Sequence, residues 1–82
     1  MKKHLFINLT VRDGEREHDH KVLHTTNASN INFAAQRYVS RFWGNGERED
    51  DFWWFDGEIT ARLEKVVQIT KEEYERLSYL FY

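Results

Sequence analysis

The triplet Asp13-Gly14-Glu15 returns as Asp56-Gly57-Glu58, each time between two strand-like runs and followed by a helix-like run. Asp-Gly marks a hairpin because both residues tolerate the positive φ of a tight turn. Aligned on the triplets, the helical apolar positions also coincide, Ile31 with Tyr74 and Ala34 with Leu77. The pattern predicts a single α+β domain over residues 1–82, ββαββα, built from two ββα units at 4–44 and 51–82. Only the triplet is identical between the halves, so an internal repeat is compatible with the pattern but not required by it.

The first strand is clear over residues 4–12, where Leu5, Ile7, Leu9 and Val11 alternate with His4, Asn8, Thr10 and Arg12. A period of two makes one apolar face, which Phe6 interrupts on the polar side. Residues 16–25 return as a second strand, whose run Glu17-His18-Asp19-His20-Lys21 suits a sheet edge. A helix is expected from about Asn30 to Trp43, facing inward with Ile31, Ala34, Ala35, Tyr38 and Phe42, and Gly44 is placed to cap it. Glu47–Asp51 reads as an acidic connector.

Phe52–Phe55 forms a third strand, and Ile59, Ala61, Leu63, Val67 and Ile69 share one face of a fourth, with Lys65 out of pattern. Thr70-Lys71-Glu72-Glu73 is a capping box that starts a last helix with Tyr74, Leu77, Ser78 and Phe81 inward. The expected product is a four-stranded antiparallel sheet with both helices packed on one face. The strand order that suits the first helix as a crossover is second, first, third, fourth.

Two helices on one face leave the other open. A two-residue turn at Asp56-Gly57 sets Trp54 opposite Ile59 and Phe52 opposite Ala61, so Trp53 and Phe55 face outward by alternation. The expected open-face residues are Phe6, Asn8, Thr10, Trp53, Phe55, Thr60 and Arg62; Phe6, Asn8, Trp53, Phe55, Thr60 and Arg62 form the candidate binding site. An aromatic patch rimmed by polar groups suits a protein partner or a second copy of the chain. The same rings could instead stack single-stranded nucleic acid, or pack on the 44–51 loop. A net charge of −2 and the lack of a basic stripe oppose the nucleic-acid reading.

Other chemistry is sparse. Zero Cys excludes thiol catalysis and thiolate metal sites. His18 and His20 have the His-x-His spacing of two zinc ligands on a strand, but no third ligand is specified, and His24 stands too far along to join them. The acidic connector lacks the pattern of a calcium loop, though it could mimic phosphate charge toward a basic partner. No nucleophile motif, phosphate loop or metalloprotease helix occurs, so no catalytic residue, metal or cofactor is assigned and a non-enzymatic module is expected. Residues 1–8 lack the apolar stretch of a signal peptide, and no run approaches the length of a membrane span, so a cytoplasmic setting without membrane contact is expected.

Overall fold

The computed structural model describes residues 2–81. The chain runs β1 (Lys3–Asp13), β2 (Arg16–Thr26), α1 (Ile31–Ser40), β3 (Glu47–Glu49), β4 (Phe52–Phe55), β5 (Ile59–Ile69) and α2 (Lys71–Phe81). The domain is α+β, with two helices and an antiparallel sheet of five strands, one more than expected. The extra strand is the acidic connector. A two-residue turn at Asp50-Asp51, with Asp50 at φ 53°, folds Glu47–Glu49 back on Phe52–Trp54.

Strand order is β2-β1-β5-β4-β3. The long β5, not the short aromatic strand, lies beside β1, correcting the expected order. Both β1 and β5 are 11 residues long, and pairing them from His4–Ile69 to Asp13–Ile59 satisfies far more backbone than the four-residue β4 could. The chain then crosses from β2, at one edge, over α1 to β3 at the other.

Leu5, Ile7, Leu9 and Val11 of β1 are buried beneath Ala34, Ala35 and Val39 of α1, together with Val22, Phe55 and Ala61. Asn30 starts α1 by accepting the Phe33 N–H on its side-chain oxygen at 3.1 Å. The helix ends at Ser40, earlier than expected, because the next residues tighten into turns: the Arg41 N–H bonds the Tyr38 carbonyl, and the Phe42 N–H bonds that of Val39. Gly44 follows at φ 93°.

The two helices occupy opposite faces, which overturns the one-face arrangement. The cause is a β-bulge in β5. Opposite β1, Asn8 pairs with Lys65 while Leu9 pairs with Leu63, so Glu64 is an inserted residue. Before it, Ile59, Ala61 and Leu63 face α1. After it, Val66 takes the α1 side opposite Ile7, and Val67 and Ile69 turn to the other face opposite Phe6 and His4. The expected single apolar row of β5 is therefore split between two sides, and the chain leaves β5 toward the second face. There the Tyr74 ring of α2 lies 4.8 Å from that of His4, and Leu23, opposite Phe6, is buried. None of the described side chains of α2 joins the cluster under α1; the side chain of Phe81 lies outside the described residues. The capping box forms as expected: the Glu73 N–H donates to the Thr70 hydroxyl and the Thr70 N–H to the Glu73 carboxylate, each at 3.1 Å.

Gly46 closes the α1–β3 connection. Its N–H donates to the Ser40 carbonyl at 2.8 Å, and a Cβ here would stand 2.8 Å from Cε1 of the buried Phe55 ring. Gly46→Ala is expected to lower stability by about 1–3 kcal/mol through overpacking. In a Phe55→Leu background, where the ring edge is gone, the same change should cost clearly less, read as non-additivity in urea unfolding.

His24 and Glu73 are two of the groups that make stability depend on pH. Burial pushes the His24 imidazole below its ordinary 6.5. The Thr70 N–H, and then its hydroxyl, hold the Glu73 carboxyl below its ordinary 4.5. With both folded-state values depressed, the unfolded chain takes up the protons first as pH falls, so each contribution is full above the ordinary value and is lost below it. Urea midpoints should decline from pH 6.5 downward and again below pH 4.5. His24→Gln should remove the first decline and Glu73→Gln should weaken the second.

Candidate functional site

The end of the second face that α2 leaves uncovered holds a cleft of about 640 Å³, between the β1–β2 turn, β4 and β5. Its aromatic floor is Phe52 and Trp54, with ring centroids 5.7 Å apart and edge to face. Trp54 is 43% exposed. Thr60 and Arg62 of β5 and Thr10 and Arg12 of β1 lie beside them.

The tryptophans thus sit the other way round from the expectation. Phe55 pairs with Ile59, Trp54 with Thr60 and Trp53 with Ala61. Asp56, Gly57 and Glu58 together form a three-residue loop, with Gly57 at φ 83° and Glu58 at φ 63°. One more residue in the turn shifts the register by one and exchanges the faces of the whole strand. Phe55 is 5% exposed in the core, and Trp53 packs against that core and donates its indole N–H to Gln36 of α1 at 3.3 Å. Arg48 lies over the Trp53 ring, 6.0 Å from its centroid. Trp53 and Phe55 are removed from the candidate surface, and Trp54 and Phe52 take their place.

The remaining site residues lie on the expected face but not in one place. Thr60 and Arg62 line the cleft. Phe6 and Asn8 are half-buried nearer the α2 end. Asn8 is flanked in the sheet by Lys21 and Lys65, and its side-chain oxygen is enclosed without a hydrogen-bond partner among the described residues. The signal for Trp54 was available: a Gly-containing three-residue loop is a common hairpin closure, and counting Glu58 into the turn reverses the parity.

The electrostatics are acidic. Glu15, Glu17, Asp51 and Glu58 line the cleft against Arg12 and Arg62. Arg62 is engaged from within: its Nε donates to Glu64 Oε1 at 2.7 Å, its Nη2 approaches the same oxygen at 2.6 Å, and Asp51 stands 4.0 Å from Nη1. The hydrogen bond from Arg62, followed by that from Thr10, holds the Glu64 carboxyl below its ordinary range, so this bulge residue is charged and fastens β5 to β1 across the face. Register extends the acidic border, since Glu47 pairs with Trp54 and Glu49 with Phe52.

The histidines of β2 face α1. The His18 and His20 rings are 6.5 Å apart, but His20 meets Phe42 at 5.0 Å and His24 meets Tyr38 at 5.1 Å. Among the described residues no group of three or more His, Cys, Asp or Glu gathers as metal ligands. No helix among them is long and apolar enough to cross a membrane.

Compared with protein-family models, curated proteins and solved structures, the chain matches none.

The two adjacent indoles should respond oppositely to truncation. Trp53→Ala removes packing under α1 and is expected to cost about 2–4 kcal/mol. Trp54→Ala should stay within about 1 kcal/mol of the parent. Urea denaturation of the two variants side by side measures the difference.

Proposed function

We propose that this protein is a non-enzymatic binding module that docks a basic segment of a protein partner on the open part of its second sheet face. The observation that carries the reading is Trp54, exposed beside Phe52 on the floor of an acidic cleft. Trp is among the side chains most enriched as anchors of protein contacts, and Phe is enriched in interface cores. Four carboxylates against two guanidinium groups, one of them held by Glu64, favour a cationic visitor. A Lys or Arg side chain laid over the Trp54 ring would gain cation–π attraction, and the surrounding carboxylates would meet its charge. Single-stranded nucleic acid would also offer flat groups to the rings, but its phosphates would face the same carboxylates.

The test is an NMR titration with a short Arg- and Lys-rich peptide, and separately with an oligothymidine of similar length. The expected result is movement of the Trp54 indole and of the Thr60 and Arg62 amides with the peptide alone. The Thr60 and Arg62 shifts should disappear in Phe52→Ala/Trp54→Ala, whose remaining spectrum keeps the parent dispersion. An unmoved Trp54 indole with basic peptides, or a response to the oligothymidine instead, would overturn the reading.

A further inference from the structure

The sheet has two edges of very different character. β3 is three residues long, whereas β2 presents 11 residues along the other edge. The β1–β2 hairpin closes through Gly14-Glu15, with Asp13 opposite Arg16 as the closing pair. In a two-residue hairpin the closing pair exchanges both backbone hydrogen bonds, and bonded and non-bonded pairs then alternate along the ladder. Even-numbered residues of β2 therefore direct their backbone groups at β1, and Glu17, Asp19, Lys21 and Leu23 direct theirs away from the sheet. An edge of this length is a template for another strand unless something blocks it.

We propose that this edge pairs with the same edge of a second copy of the chain, antiparallel, about a two-fold axis at His20. The charges on the strand select both the partner and the register. Centred on His20, the pairing sets Asp19 of each copy opposite Lys21 of the other, twice, with Glu17 opposite Leu23 and His18 opposite Val22. Centred on Asp19 or on Lys21, it sets a like charge against itself. Centred on His18, it sets Glu17 against Asp19. Opposite charges directly across an antiparallel pair attract and like charges repel, so the residues that repel most other registers hold this one together. Asp19 and Lys21 are exposed in the single chain and free to meet such partners. The pairing joins two five-stranded sheets into one of ten and leaves Trp54, on the far side of β1 and β5, uncovered. It is thus independent of the proposed docking surface.

The experiment is sedimentation equilibrium at pH 7.5 from micromolar to millimolar protein, on the parent and on charge-reversed chains. The parent mass should rise from 10.0 kDa to twice that value. Asp19→Lys alone, and Lys21→Asp alone, should each raise the dissociation constant about tenfold or more. Mixing the two variants should restore dimers. One chain then carries a cation at both positions and the other a carboxylate at both, so every cross-strand pair between unlike chains joins opposite charges. The doubly reversed chain should dimerise by itself. Both positions are on the surface, so amide spectra should confirm an unchanged fold. A parent that stays monomeric to millimolar concentration would overturn the proposal. So would dimers that survive both single reversals, or that are lost on Trp54→Ala instead.

Discussion

The structure depends on the pleat of β1. Leu5, Ile7 and Leu9 have no exposed surface at all, and with Val39 they are the largest fully buried side chains. Each contributes about 1.5–3 kcal/mol by leaving water, and their alternation allows only one face of β1 to meet α1. Because β1 is paired on both sides, that decision passes to β2 and β5 through register, and from β5 to β4. What the far strand shows to solvent is settled by residues that lie outside it, on the strands between.

Much of this was legible in the chain. The alternation of residues 5–11, the capping box of α2, the two hairpins and the edge character of β2 all follow from local pattern, and all are present, whereas Gly44 stands beyond the C-cap of α1, which is Arg41. What was not legible turns on single residues. Asp13-Gly14-Glu15 and Asp56-Gly57-Glu58 are identical in composition, yet the first closes a two-residue turn and the second is itself a three-residue loop. The choice is made by which cross-strand partners pack, Phe55 over Ile59 in the core rather than Trp54, and not by the turn residues. The same holds for Glu64, whose insertion is set by its bonds to Arg62 and Thr10 across the face.

The candidate surface inherits both shifts. Loop length brings Trp54 rather than Trp53 to the outside, and the bulge sends α2 to the same side, where it confines the open area to one end of the sheet. Thr60 and Arg62 keep the expected face because they stand before the bulge and their parity is tied directly to the buried Ala61. The acidic border arose from a segment with no visible strand pattern. Glu47-Arg48-Glu49 has low strand propensity and extends because Trp53 and Trp54 offer it a paired edge.

Glu64 also bears on how this chain can change over time. Because Glu64 is one residue in excess opposite β1, losing it would leave Leu63 on Leu9, Lys65 on Asn8 and Val66 on Ile7, the pairs the strand already makes. Absorbing Glu64 into a regular ladder at the same length would instead set it opposite Asn8 and move Val66 opposite Phe6, so that Val66 and Val67 exchange neighbours and the helix that follows is delivered to the opposite layer. β5 therefore behaves like a reading frame that carries one extra letter: dropping the letter leaves the text unchanged, whereas replacing Glu64 by a side chain that cannot take the Arg62 and Thr10 bonds removes what keeps it out of the frame.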